Sequence, residues 1–196
     1  GRVDIATELS LLSSHLAYPR EGHMVAALHM MAHLKQRHNT RMVFDPTYPD
    51  IDKSAFRSDQ DESWKELYGD VEEALPPNMP EALGKPVDMR LFVDSDHAGE
   101  KRTRRSRTGF MVFVQNAMIV WMSKRQATIE SSVFGAEFVA LKHGIETCRG
   151  LRYKLRMMGV PISGRVHVFM ATTCLSFIIP SVLSLPVRKR AMPSVI

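Results

Sequence analysis

Two carboxylates stand at positions where a protein could use them for metal-dependent chemistry. Asp94 ends an apolar stretch that begins at Leu91, and Asp96 follows two residues later. Glu137 lies among apolar residues near the start of a predicted helix, where an isolated charge is costly and needs a partner. Mg²⁺ is one such partner, because it binds a few carboxylates while it keeps waters and phosphate oxygens. Two metal ions about 4 Å apart can hold the attacking water and the leaving oxygen of a phosphodiester.

The residues taken alone favour a simpler interpretation of these acids. Asp94 can serve as the acid of a turn, and Glu137 can pair with a nearby lysine or arginine. A second candidate site follows Asp94 in the chain, because the seven residues 101–107 contain five bases: Lys101, Arg102, Arg104, Arg105 and Arg107. Such a segment either contacts the phosphates of a nucleic acid or is a solvated loop.

Charge is distributed unevenly along the 196 residues. The net charge is +5, yet residues 45–82 hold eleven acids and only three bases. The remaining chain is therefore strongly basic, which favours a polyanionic partner because bases that neutralise phosphates release condensed counterions. A solvated surface joined to an acidic connector explains the same numbers, and charge alone does not separate the two interpretations.

Hydrophobic patterns predict the elements that would position these residues. Helical spacing predicts a helix over 23–37, with Met24, Ala27, Leu28, Met31 and Leu34 on its apolar side. Strands are expected at 41–44, 89–94, 109–114, 118–122 and 166–169, with a turn at 115–117. One long helix or two are expected over 131–158, capped by Ser131 or Ser132, with Phe134, Phe138, Leu141 and Ile145 as the buried stripe. The order β-β-β-α-β from residue 87 onwards indicates an α/β fold with a mixed sheet.

The segment 46–85 is the clearest predicted boundary. It combines the acidic excess with five prolines, and Pro86 follows directly, which predicts a linker or a loose surface excursion with one short helix near Trp64–Leu67. No run of 18 apolar residues occurs, so we expect no membrane span. The cysteines Cys148 and Cys174 have no framework spacing, which favours a reducing, intracellular compartment, either cytoplasm or nucleus.

Four short motifs occur in order between Val87 and Val160. They are Asp-Ser-Asp-His-Ala-Gly at 94–99, Arg-Ser-Arg-Thr-Gly at 105–109, Trp-Met-Ser-Lys-Arg-Gln at 121–126, and Ser-Ser-Val-Phe-Gly-Ala-Glu-Phe-Val-Ala-Leu at 131–141. In this order and spacing they resemble the RNase H domain of copia-type retrotransposons. Upstream, Arg2–Ile5, Pro19–His23 and Ala27–Lys35 resemble the end of the reverse transcriptase in the same polyprotein.

The resemblance implies four parts. Residues 1–45 would be the end of the reverse transcriptase, a helical remnant; 46–85 the acidic linker; 86–169 an RNase H-like domain; and 170–196 an altered tail. The implied fold is an RNase H-like mixed sheet of three antiparallel strands, a helix and a further strand, incomplete at its carboxyl end. The implied metal ligands for Mg²⁺ are Asp94 and Glu137, with Asp96 as a secondary candidate.

The chain departs from this family after Phe169. RNase H-like enzymes carry a third acid there, in a Gly-Asp-Asn type motif, whereas no Asp or Glu occurs between Gly150 and Ile196. Plausible codons for residues 170–177, read two bases later, give Gly-Asp-Asn-Met-Ser-Phe, and the family-like match can be continued over some 25 codons. We therefore expect residues 170–196 to be translated out of frame and the magnesium site to be incomplete.

These observations lead to three functional hypotheses. The ancestral activity would be Mg²⁺-dependent hydrolysis of RNA in RNA–DNA hybrids, which is expected to be lost here. The alternative is a non-catalytic nucleic-acid-binding or assembly module that uses the basic loop, and a third is an unexpressed pseudogene product. The expected partners are an RNA–DNA hybrid and the rest of the polyprotein, since a chain that begins at Gly1 suggests a fragment.

Overall fold

The structure is a computed structural model that describes residues 2–51, 73, 75–170 and 177–179. Its elements, in chain order, are a 3-10 helix (Val3–Ile5), α1 (Ala6–Ser13), α2 (Glu21–Gln36), β1 (Val87–Asp96), β2 (Arg107–Val114), β3 (Ala117–Arg125), α3 (Val133–Met157), β4 (Ile162–Met170) and β5 (Phe177–Ile179).

The strands form one mixed sheet of five strands in the order β3-β2-β1-β4-β5. β1, β2 and β3 are antiparallel neighbours, β4 runs parallel to β1, and β5 pairs antiparallel with β4. A parallel neighbour requires a crossover connection, and α3 supplies it between β3 and β4. The expected α/β class with a mixed sheet is confirmed.

A tight turn joins β2 to β3, where the sequence predicted it. Gln115 has a φ of 55°, the left-handed conformation that short hairpin turns require. Its carbonyl oxygen and the side-chain oxygen of Asn116 accept hydrogen bonds from Arg90 Nη2 at 2.7 and 2.8 Å. The turn is thus tied to the central strand, which fixes the β1–β2–β3 register.

The core lies between α3 and one face of the sheet. It is formed by Met89, Leu91, Val93, Phe110, Val112, Ala140, Ile145, Cys148 and Val168. Strand residues alternate between faces, so Met89, Leu91 and Val93 share the α3 side of β1. Burial raises the pKa of the Cys148 thiol to about 12, so this cysteine remains a neutral packing residue.

The predicted buried stripe of α3 is wrong at its first two positions. Phe134 and Phe138 are 75% and 51% exposed, while Ile145 is buried as expected. The side chains turned to the sheet are mainly small ones spaced four residues apart, at Ala136, Ala140, Gly144 and Cys148. Small residues allow α3 to approach the sheet closely, and the large aromatic residues therefore lie outside.

The α1–α2 segment covers part of the opposite face of the sheet. α1 packs against β3, and Arg107 of β2 donates to the hydroxyls of Ser10 and Ser14 on α1. His15 and His23 stack with ring centroids 4.1 Å apart and join α1 to α2. The predicted helix over 23–37 is confirmed as α2, with bounds Glu21–Gln36.

Two predictions for the first 45 residues need correction. No strand forms at 41–44, where Val43 and Phe44 are 76% and 64% exposed. A short apolar run without a neighbouring strand has no partner for its backbone and cannot form a ladder. The predicted apolar side of α2 is also only partly buried. Ala27 and Leu34 are half-buried, whereas Met24, Leu28 and Met31 are exposed.

The segment between residues 45 and 86 contacts the body at several of its described residues. Tyr48 donates its hydroxyl to the carbonyl oxygen of Pro86 at 2.6 Å, and the amide of Leu83 donates to Gly159 at 2.8 Å. Glu73 forms ion pairs with Arg152 and Arg156 at 2.8 and 2.6 Å. A loose excursion is therefore the wrong description of these parts, and the predicted helix near residues 64–67 lies outside the described residues.

Most of the predicted out-of-frame tail also lies outside the described residues. Its first residue, Met170, ends β4, and Phe177–Ile179 form β5 beside β4. Among the helices described, none has the length and apolar character to cross a bilayer.

Close packing at Gly144 gives a first testable prediction. A Cβ at this position would lie 2.9 Å from both terminal methyl carbons of Leu91, whereas a Cβ at Gly150, on the same helix, would have no atom within 4 Å. Gly150→Ala should stabilise the protein by about 0.5–1 kcal/mol through helix propensity. Gly144→Ala should be about 1–3 kcal/mol less stable than this control, because overpacking displaces a core side chain.

Chemical denaturation of the two glycine variants measures the difference. Equal stability of Gly144→Ala and Gly150→Ala would contradict the close approach of α3 to β1.

The ion pairs of Glu73 predict a pH dependence. Hydrogen bonds and the charges of Arg152 and Arg156 outweigh desolvation and hold the pKa of Glu73 below its usual value. A lowered folded-state pKa stabilises the protein above the unfolded-state pKa, and this contribution is lost as the pH falls through the folded-state value. Glu73→Gln should cost about 1–3 kcal/mol at pH 7 and progressively less below about pH 4.

Unfolding free energies measured between pH 3 and 7 would show the predicted convergence of Glu73→Gln with the parent chain. Glu81→Gln, also acidic but without an ion pair among the described residues, is the matched control. A constant difference at every pH would contradict the ion-pair account.

Candidate functional site

Asp94 lies near the carboxyl end of β1 with its side chain exposed. Strand alternation directs it to the face opposite α3, and its cross-strand neighbour is Gly109. The Asp94 Oδ1 atom accepts a hydrogen bond from the backbone amide of Ser95 at 2.8 Å. The side chain is therefore accessible and bonded to its own strand.

Glu137 lies in the second turn of α3 and is buried, with 6% of its surface exposed. The helix begins after Ser132, whose Oγ accepts a hydrogen bond from the Gly135 amide at 3.0 Å, as an N-cap residue does. The predicted cap is confirmed in Ser132. Glu137 thus has the buried position that the sequence suggested. Its helix, α3, covers one face of the sheet, and Asp94 lies on the opposite face.

Asp96 has a structural role in the turn that follows β1. It accepts a hydrogen bond from the backbone amide of Arg107, its partner in the β1–β2 ladder. Its carboxylate also occupies the space beside Gly99 where a Cβ would otherwise lie. Gly99 is therefore required for Asp96 to fold over the loop.

The described residues contain no group of three His, Cys, Asp or Glu side chains that could hold a metal ion. In the parallel ladder, Val93 of β1 pairs with Met170, the last residue of β4. The chain thus leaves β4 next to Asp94, and the residues that follow, 171–174, are Ala-Thr-Thr-Cys. The position where the family resemblance implies a third acid contributes no carboxylate.

The connection between β1 and β2 carries the basic residues, and polar contacts hold it in place. Thr103 donates to Glu100 at 2.7 Å, and Arg125 of β3 forms an ion pair with Glu100 at 2.9 Å. These contacts hold the pKa of Glu100 below its usual value, with the Thr103 hydroxyl as the largest cause. The Ser106 Oγ accepts from the Ala98 amide at 3.0 Å across the base of the loop.

The five predicted phosphate-contacting bases differ in exposure. Lys101, Arg102 and Arg104 are exposed, and Arg105 is half-buried. Arg107 is buried, with its guanidinium directed to Ser10 and Ser14, and desolvation lowers its pKa. The expectation for Arg107 is corrected accordingly: as the first residue of β2 it joins the sheet to α1 and is not a loop base. We call Lys101, Arg102 and Arg104 the basic loop cluster.

A buried polar residue, Gln126, connects this loop to β3 and α3. Its side-chain Nε2 donates to Thr108 Oγ1 at 3.1 Å and to the Ala136 carbonyl oxygen at 2.9 Å. Its backbone amide donates to the carbonyl oxygen of Ser106 at 2.8 Å. Sequence reasoning gave Gln126 no role. The available signal was its place in one of the four motifs, because its partners Ser106 and Thr108 both belong to another of them.

Comparison with known proteins shows a partial similarity to a plant protein. The chain is 44% identical over 55 residues to an uncharacterized mitochondrial protein of Arabidopsis thaliana. The match covers 28% of this chain and 23% of that relative, so the chain spans under a quarter of its length. No protein-family profile and no solved structure matches the chain.

The Gln126 contacts predict a large loss of stability on truncation. Gln126→Ala leaves the buried Ala136 carbonyl and the Thr108 hydroxyl without this donor, and each unsatisfied buried group costs about 1–3 kcal/mol. We expect a total loss of about 2–4 kcal/mol. Gln36→Ala, at the exposed end of α2, should change stability by less than about 0.5 kcal/mol.

Urea unfolding monitored by circular dichroism measures both glutamine variants. If Gln126→Ala is as stable as Gln36→Ala, the motif residues do not fix this end of the sheet.

Proposed function

We propose that this chain derives from a copia-type retrotransposon polyprotein and that its RNase H-like body binds nucleic acid without cleaving it. The ancestral activity is Mg²⁺-dependent hydrolysis of the RNA strand in RNA–DNA hybrids. The part before residue 46 is the end of the reverse transcriptase, and the expected partners are a hybrid duplex and the remainder of the polyprotein. The four ordered motifs and the strand arrangement support the family part of this proposal.

The observation that carries the binding function is the basic loop cluster. Lys101, Arg102 and Arg104 project from one short loop whose ends are fixed by Asp96 and Glu100. A fixed loop loses little conformational entropy when its charged tips bind phosphates. Phosphate contacts position a protein on a duplex without reading bases, which suits an RNA–DNA hybrid recognised by its shape.

The acidic residues do not fit a two-metal catalytic site. Asp96 is engaged by the Arg107 amide, which leaves Asp94 and Glu137 as the remaining members of the predicted set. Two carboxylates offset too little of the charge of two divalent ions and fix too few ligand positions. The lack of any acid between Gly150 and Ile196 removes the residues that could complete the site.

The absence of catalysis is tested with a labelled RNA–DNA hybrid in Mg²⁺ or Mn²⁺. We expect no turnover above the buffer rate, and the same result for Asp94→Asn. Cleavage by the parent chain that Asp94→Asn abolishes would refute the incomplete-site proposal.

Binding is tested with the triple variant Lys101→Gln/Arg102→Gln/Arg104→Gln. If the three bases each contact a phosphate, the slope of log K against log salt should become less negative by roughly 2 to 3, since each contact contributes about 0.9. The charge-matched control is Arg37→Gln/Arg41→Gln/Lys85→Gln, whose three exposed bases lie in other parts of the chain. Equal slopes for the two variants would remove the basic loop cluster as the binding surface.

The proposed reading frame has a direct test in the encoding DNA. A frame two bases later should yield Gly-Asp-Asn from codon 170 onwards and continue with family-like sequence. A DNA sequence that does not allow this alternative frame would contradict the origin proposed for residues 170–196.

A further inference from the structure

α2 carries an exposed apolar surface. Met24, Leu28 and Met31 are 64%, 61% and 63% exposed, although they follow one another at helical spacing. Three large apolar side chains on one helix face are ordinarily covered by another element. α1 does not cover them, because it packs on a different side of α2.

The side of α2 that faces α1 is identified by its contacts. His23 stacks on His15, and the His33 Nε2 atom donates a hydrogen bond to the Asp4 carboxylate at 2.9 Å. Ala27 and Leu34 are half-buried on the same side. Successive helix residues turn by about 100°, so the Met24–Leu28–Met31 stripe lies roughly a quarter turn away and is open to a partner.

A charged residue extends the stripe at each end. Glu21, Met24, Leu28, Met31 and Lys35 are separated by three, four, three and four residues, the spacing of a helix seam that packs on another helix. The charges are opposite in sign, with the acid at the amino end and the base at the carboxyl end. Two copies of the stripe that run in opposite directions and are centred on Leu28 would therefore bring opposite charges together at both ends.

We propose that the occupant of this surface is a second copy of the chain, paired antiparallel through α2 about a two-fold axis at Leu28. Each Leu28 then meets its counterpart, Met24 lies beside Met31 of the other copy, and Glu21 lies opposite Lys35. A parallel pair would instead place like charges together, which is unfavourable. Ala32, next to the stripe, is small enough to allow close helix approach.

The proposed contact is small. A 16-residue helix is about 24 Å long, and one helix pair of this length falls at the low end of specific interfaces. We therefore expect a reversible dimer with a dissociation constant in roughly the micromolar to high-micromolar range. This proposal does not depend on nucleic-acid binding or on the ancestry of the chain.

Sedimentation equilibrium of the 196-residue chain, from about 5 to 500 µM, tests the proposal. The parent chain should shift from monomer to dimer across this range. Leu28→Glu places two like charges at the two-fold axis and should weaken association at least about 10-fold. Ala26→Glu adds the same charge on the far side of α2, where the side chain is exposed, and should leave association unchanged.

Charge exchange distinguishes the antiparallel two-fold pair from other ways in which two copies could associate. Glu21→Lys and Lys35→Glu should each weaken the dimer about 3- to 10-fold, because both ends then carry like charges. The double variant Glu21→Lys/Lys35→Glu restores opposite charges only in a two-fold antiparallel pair, and its dissociation constant should return to within about 3-fold of the parent value. Circular dichroism establishes that each variant keeps its helix content.

Three outcomes overturn the proposal. The parent chain stays monomeric throughout the concentration range, or Leu28→Glu and Ala26→Glu weaken association equally, or the double exchange remains as weak as the single variants. The last outcome would exclude the two-fold antiparallel pairing of α2.

Discussion

The hydrogen bonds of Gln126 are the constraint on which the arrangement of the sheet, α3 and the basic loop depends. One buried side chain bonds to Thr108 on β2 and to Ala136 on α3, while its backbone bonds to Ser106 at the base of the basic loop. The sheet, the helix and the loop meet at this residue. Buried polar groups that are bonded to several elements fix one arrangement, because any other arrangement leaves them unsatisfied.

The remaining fold follows from the position of β1 at the centre of the sheet. The two faces of β1 have different neighbours. Met89, Leu91 and Val93 pack against α3, whereas Asp94 and Asp96 lie on the face of the sheet that α1 contacts. The same strand therefore supplies the core and presents the acids. β4 ends beside Val93, so the carboxyl ends of β1 and β4 lie at the same edge of the sheet.

The sequence predicted the positions of the helices and strands better than it predicted which of their side chains are buried. Strand alternation and the Ser132 cap were sufficient to place β1, β2, β3, β4 and α3. Phe134 and Phe138 were misassigned because hydrophobicity predicts burial, whereas the approach of α3 to the sheet is decided by small residues such as Gly144. Arg107 was misassigned because charge predicts exposure, and its serine partners lie some 95 residues away on α1. Contacts between distant segments are not visible in local patterns.

We propose that the acidic residues no longer form a metal site, and Mn²⁺ binding tests this proposal most directly. Titration of the chain with Mn²⁺, followed by electron paramagnetic resonance of the free ion, should show only weak binding that Asp94→Asn and Glu137→Gln leave unchanged. Tight binding of one or two ions that either substitution abolishes would contradict the account, because it would mean that the two carboxylates suffice for a metal centre.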